Sequence, residues 1–297
     1  MSNRLIQSGR EIQPTEQMTS HIDFLRMRLI GFSKMMLHTW DVQPLLSPFW
    51  RLYCNLDDGA VITSEQQRYP LRARRVYLVP AWVWWSGQSR PGVRHIYAHF
   101  DLPGMTRSLS RAAFPRPIQI FPRTKSRDDG AALDLALQFE ELGAATIGKG
   151  MLDPYLVCWA KGLVYFAIRD AFSRVAPDIR SRCLQPGTGT HPLVRVLNLI
   201  DTHLHQELRN EDLASTVPCS RAHLVRLFRA LLGVAPARYI AERRISRAAE
   251  LLVYGHDSLE QIADACGFPN RHYFTRVFTQ ILGTSPARYR KMALVGR

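Results

Sequence analysis

SRAHLVRLFRALLGVAPARY (220–239) and NRHYFTRVFTQILGTSPARY (270–289) write one design twice, fifty positions apart. In the first copy Leu224, Leu227, Phe228 and Leu231 recur at i, i+3, i+4 and i+7, the spacing of one buried helix face. Phe274, Val277, Phe278 and Ile281 repeat it in the second. Each helix closes at a glycine, and three residues later a proline opens the next one.

The opposite face is where the two copies carry chemistry. It presents Ala222, Val225, Arg226 and Arg229 in the first copy and His272, Thr275, Arg276 and Thr279 in the second, with neither Asp nor Glu among them. A face that only meets water mixes both signs of charge. Arg, His, Thr and Asn near a helix N-terminus are instead the side chains that reach base edges in a major groove.

Each long helix follows a short one. Leu213-Ala214 matches Ile262-Ala263 at an offset of 49, so the second turn, CGFPN, holds one residue more than VPCS in the first. Asn210 is expected to cap the first short helix. Ser258 and Gln261 spell a capping box for the second. Helix–turn–helix units place their second helix in the groove, and successive grooves lie roughly 34 Å apart. The helix expected over PARYIAERRISRAAELLVYG (236–255) has the length to set much of that separation at about 1.5 Å per residue.

Working outward, the apolar stripe Leu193, Leu197, Ile200, Leu204 and Leu208 predicts a helix before the first unit. SRCLQPGTGTH (181–191) has no periodicity and reads as a linker. Two more helical patterns lie at 131–143 and 153–176, the second with Asp153 as N-cap and Pro154 in the first turn. The proline-rich stretch 114–130 forbids a long helix. From about 47 to 100 the text favours strands broken at Asp57-Asp58-Gly59, Pro80 and Pro91-Gly92, which suggests an antiparallel sandwich or barrel. In VRHIYAHF (93–100) the residues Val93, His95, Tyr97 and His99 share one face.

Composition agrees with a two-domain globular chain. It has 297 residues, 46% of them apolar, and a formal net charge of +14. That charge divides into +8 up to residue 190 and +6 beyond it, so basicity alone does not mark a DNA-binding end. Cys54, Cys158, Cys183, Cys219 and Cys266 are scattered and odd in number, which argues against a disulfide framework or a zinc knuckle and for a reducing cytoplasm. No apolar run is long enough to span a membrane, and the first twenty residues lack an export signal.

At 191–291 the phrases RYIAERRISRAAELL, SLEQIADACGF, YFTRVF and GTSPARYRK resemble, in order and spacing, the DNA-binding domain of the AraC/XylS family of bacterial transcriptional regulators. The resemblance implies an α+β two-domain protein. Residues 1–180 are expected as a cupin-like effector-binding and dimerisation domain, 181–191 as the linker, and 192–297 as the DNA-binding domain. Within the last, the helix–turn–helix units fall at about 210–231 and 258–281, joined by a linker helix at about 236–253. Base reading is implied for Ala222, Val225 and Arg226 in the first unit and for His272, Tyr273 and Arg276 in the second. Arg221, Arg271 and Thr275 stand where further base or phosphate contacts are expected. Arg244 is expected to be structural, and Arg288, Arg290 and Lys291 to meet phosphates or water.

In the N-terminal half, Trp82, Trp84, His95, Tyr97 and His99 are the candidate lining of an effector pocket. His95 and His99 lie about 13 Å apart along a strand, too far to share one metal ion. No catalytic motif, cofactor or metal site is recognised. The expected partners are double-stranded DNA, a small-molecule effector, RNA polymerase and a second copy of the chain, with activation the commoner outcome in the family. Two alternatives stand beside this reading: a cupin-type metal enzyme with an appended helical domain, and a ligand-independent regulator.

Overall fold

The computed structural model describes residues 26–38, 40–121, 128–146, 153–184 and 192–294. Its first half is two facing antiparallel sheets. β1 (Arg28–Leu37), β8 (Val93–Asp101), β3 (Trp50–Asn55), β6 (Val76–Val79) and β9 (Ile118–Gln119) lie side by side in that order. β2 (Asp41–Leu46), β7 (Trp84–Ser89), β4 (Ala60–Ser64) and β5 (Gln67–Leu71) form the second sheet.

Local chemistry accounts for the breaks. The hairpin between β4 and β5 turns on Glu65 and Gln66, both at positive φ (47° and 64°), the backbone that suits the twist of a two-residue hairpin. β1 and β2 precede the region in which the sequence predicts strands. Their faces explain this: β1 is half-buried along nearly its whole length, without clean alternation, and β2 contains Pro44.

Helices follow the sheets. α1 (Arg107–Ala113) is capped by the Thr106 side chain, and α2 (Asp128–Ala145) and α3 (Pro154–Ser173) pack against each other and β1. Asp153 accepts from the Tyr155 amide as the sequence predicts. α4 (Pro177–Leu184) extends into the expected linker, because Pro177 and Asp178 start a helix that buries Cys183 against Leu109. The remainder of that linker, 185–191, lies outside the described residues.

The C-terminal third is helical. α5 (Pro192–Thr202) is followed by α6 (Asn210–Ser215), α7 (Arg221–Leu232), α8 (Pro236–Tyr254), α9 (Leu259–Ala265), α10 (Arg271–Leu282) and α11 (Pro286–Leu294). α5 is shorter than its apolar stripe. It ends where the Thr202 hydroxyl turns back to the Asn198 and Leu199 carbonyls, so Leu204 and Leu208 pack on the core from beyond the helix. Asn210 begins α6 instead of capping it; Arg209 holds the cap position without a side-chain bond, and Glu211 and Asp212 complement the helix N-terminus.

Candidate nucleic-acid interface and the cavity behind it

The two longer helices of the repeat are near copies in three dimensions. Ser220 caps α7 by accepting from His223, and Asn270 caps α10 by accepting from Tyr273. Gly233 and Gly283 end them in the left-handed region at φ 72° and 73°. From the first helical position onward the ten-residue burial pattern is identical. Leu224, Phe228 and Leu232 are buried in one, and Phe274, Phe278 and Leu282 in the other.

The outward residues stand as the repeat requires. Ala222, Arg226, His272, Tyr273 and Arg276 are exposed, while Val225 and Thr275 are half-buried. The Arg276 guanidinium lies 5.0 Å from the centre of the Tyr273 ring, a contact that steadies a long side chain without using its donors. Arg221 and Arg271 behave differently. Each pairs at 2.7 Å with a carboxylate of the preceding short helix, Glu211 and Glu260, so both fasten the turn from inside the unit. Sequence reasoning missed these pairs because the partners lie ten or eleven residues upstream.

Arg244 is structural, as expected: its Nε and Nη2 donate to the Leu204 and Gln206 carbonyls at 3.0 and 2.6 Å. Arg290 donates to the Asp257 carbonyl, which holds it on the protein.

Neither repeat unit stands apart from the sheets. Thr106 and Ser108 donate their hydroxyls to the Leu232 carbonyl at the end of α7, and Arg107 donates to the Ile281 carbonyl near the end of α10. One tripeptide therefore meets the negative ends of both helices. The two PARY tyrosines also face the N-terminal half. Tyr239 accepts from the Gly104 amide, and the Tyr289 hydroxyl lies beside Ser47 and Arg51 without a well-formed hydrogen bond to either. Arg243, from the middle of α8, bridges Asp101 of β8 and Asp201, each at 2.7 Å.

Between the sheets and this helical wall is a cavity of about 60 Å³. Antiparallel register builds it, since Arg51 pairs with His99, Tyr53 with Tyr97 and Asn55 with His95, which puts all six on one face. Trp40 and Trp85 add aromatic walls, and Val253 of α8 and Ala293 of α11 close the helical side. The His95 Nδ1–H donates to the Asn55 Oδ1 at 2.7 Å, since an amide oxygen can only accept, and burial pushes the ring's pKa down to about 3, which keeps it neutral. His99 is hydrogen-bonded to the Tyr254 hydroxyl at the end of α8.

Of the five residues expected to line this cavity, His95, Tyr97 and His99 do so. Trp82 and Trp84 do not. Trp82 sits in a turn at φ 66°, and Trp84 points out of its strand toward Gly283, where an added Cβ would meet its ring at 3.2 Å. The alternation of β7 turns Trp85 inward instead. Arg51, Tyr53 and Trp40 were not anticipated, because only strand pairing brings them to His95 and His99. Among the described residues no three His, Cys, Asp or Glu side chains gather as a metal site, and no helix is long and apolar enough to cross a membrane.

Residues 213–292 match the family described as "Helix-turn-helix domain". Over 82 residues the chain is 34% identical to the uncharacterized HTH-type transcriptional regulator YbfP of Bacillus subtilis (strain 168), and over 89 residues 40% identical to YfiF of the same organism. These alignments cover 28% and 30% of this chain and 28% of each relative, so the likeness is confined to one domain. The fold of apo ToxT from Vibrio cholerae strain SCE256 is similar over 90% of this chain and 97% of that one, with a TM-score of 0.50 at 15% identity. At that identity the likeness concerns the two-domain fold alone. Over residues 213–292 the chain is thus similar to the helix–turn–helix domain of HTH-type transcriptional regulators.

Proposed function

We propose that the chain is a sequence-specific DNA-binding transcriptional regulator whose activity is set by a small molecule held in the N-terminal half. The observation that carries this is the pair of equivalent helices, α7 and α10, whose exposed faces share one burial pattern and carry no carboxylate. Arg226 and Arg276 are the principal base readers, each suited to a bidentate contact with guanine. Ala222, Val225, His272, Tyr273 and Thr275 complete the reading surface. Arg221 and Arg271 sit at its edge, where they brace the turn and meet phosphates.

In this reading, residues 1–180 form a cupin-like effector-binding and dimerisation domain, 192–297 the DNA-binding domain, and 236–253 its linker helix. Binding of the effector at His95, Tyr97 and His99, between the rings of Trp40 and Trp85, shifts the arrangement of the two halves. Such control requires different affinities for two arrangements. The protein acts in the cytoplasm as a homodimer and works with RNA polymerase, as an activator.

The test is to sequence genomic fragments retained by the purified full chain. A shared motif with two half-elements about one helical turn apart is expected. Recovery of unrelated fragments, with a flat response of binding to salt, would contradict the reading, because displaced phosphate counterions make such binding steeply salt-dependent.

A further inference from the structure

We infer that the N-terminal half takes part in DNA binding itself, through Arg107 and Arg111 of α1, which meet the phosphate backbone of the duplex whose grooves α7 and α10 read. The inference rests on the DNA-binding reading above and adds a second surface to it.

α1 starts between the ends of the two repeated helices. The hydroxyls of Thr106 and Ser108 hold the Leu232 carbonyl of α7, and Arg107 holds the Ile281 carbonyl of α10 through Nη1 at 3.3 Å. Leu109 and Ser110 form the buried side of α1, where Ser110 donates to the Ala81 carbonyl. That leaves Ser108, Arg111 and Ala112 exposed, with Arg107 half-buried beside them. Arg107 and Arg111 stand four residues apart on one side of the helix, about 6 Å along its axis. The outward faces of the repeated helices come down to the same place. Arg229 lies three residues before Leu232 and Thr279 two residues before Ile281, and both are exposed.

The charge gathered here is one-sided. Burial, and then the Arg111 guanidinium, push the pKa of Arg107 down; Arg238 of α8 acts the same way, and Glu242 alone opposes them. Glu242 is itself committed, since Arg238 donates to its Oε1 at 2.8 Å. Among the described residues no carboxylate pairs with Arg107, Arg111 or Arg229, and α1 contains no acidic residue. Arg107 spends one of its five N–H donors on Ile281. Three guanidinium groups around one carboxylate repel one another, and a polyanion on their open side relieves that repulsion. Duplex DNA supplies one negative charge per about 1.7 Å of its axis, and cations that meet it fix position without reading sequence. Continuity with two outward faces that carry no carboxylate selects DNA over an acidic protein surface. In the docked arrangement, patch and reading faces meet one duplex together.

The experiment measures binding of the full chain to a genomic fragment that it retains and to a random-sequence duplex of equal length, from about 50 to 200 mM salt. Arg111→Gln should lower the slope of log affinity against log salt by about one on both duplexes. The loss of affinity across that range then shrinks about 3.5-fold. The binding-site profile should match that of the unaltered chain, because a phosphate contact carries no sequence information. Arg111→Lys keeps the charge and should keep the slope. Arg90→Gln removes an equal charge just past the end of β7 farthest from Trp84 and should leave the slope unchanged. Arg90 and Arg111 are both exposed, so their replacement leaves the core intact. Equal slopes for the unaltered chain and Arg111→Gln overturn the inference and leave the patch to an acidic protein partner. An equal fall in Arg90→Gln overturns it too, since the effect is then one of net charge. If the unaltered chain holds neither duplex at any salt, the DNA-binding reading itself falls, a result visible before any variant is made, and this inference falls with it.

Discussion

At the scale of single residues, Arg276 and His95 show what position adds to chemical type. Arg276 was legible in the sequence because helical spacing alone sets it opposite Phe274 and Phe278. Arg276→Ala should lose about 1–3 kcal/mol of discrimination at one base pair while keeping phosphate-driven affinity. A binding-site profile unchanged at every position would count against its place in the groove. His95 was legible as inward-facing, but its protonation state was not, since that depends on burial beside Asn55 of β3 and Trp40 of the β1–β2 connection. Its folded pKa, pushed down to about 3 from 6.5, means that the unfolded chain binds the extra proton first. Stability owed to neutral His95 is complete above pH 6.5 and is lost as pH falls from there toward 3. The slope approaches about 1.4 kcal/mol per pH unit. Denaturation midpoints of the native chain and His95→Gln should converge on acidification; parallel curves from pH 7 to 4 would refute the assignment.

At the scale of elements, the strongest test lies in the turn that differs between the copies. CGFPN ends α9 with Gly267 at φ 74°, and an added Cβ there would stand 2.3 Å from the Leu204 carbonyl oxygen. That atom is backbone, and Arg244 fixes the same carbonyl from the other side. Gly267→Ala therefore meets both an unfavourable φ and a clash, and should cost about 2 kcal/mol or more. A melting temperature within a degree of the native chain would show that the turn relaxes freely. The cap at Ser258 could be read from sequence because a cap acts within three residues, whereas those at Ser220 and Asn270 were not anticipated. Asn210 misled for the same local reason: cap chemistry was present, but the chain enters α6 one residue earlier.

At the scale of the whole molecule, the two halves are joined by polar contacts that no local pattern announces. Arg243 is buried between Asp101 and Asp201, whose charges hold its guanidinium protonated against the cost of burial. Asp101→Ala leaves that cation with one partner and should destabilise the full chain by about 3–5 kcal/mol, the usual cost of breaking a buried pair. Urea denaturation measures it, and an unchanged midpoint would mean that the halves are not docked through this bridge. The Thr106–Arg107–Ser108 contacts to α7 and α10 give the same junction a hold on both repeated helices. Because they bind helix-end carbonyls, they constrain the helices without occupying either exposed face.

The sequence by itself determined the repeat, the buried and exposed faces of α7 and α10, and the strand-rich first half. Each of these is set by neighbours within a helical turn or a strand pleat, where spacing and side-chain type are sufficient. Only the tertiary structure decided which aromatic residues share a cavity, why Trp85 and not Trp84 enters it, and that Arg51 lies there with no carboxylate partner among the described residues. It also decided what the PARY phrases do: beyond opening a helix, each sends its tyrosine, Tyr239 or Tyr289, into the junction with the sheets. Those outcomes depend on strand register and domain docking, which bring together groups more than a hundred residues apart.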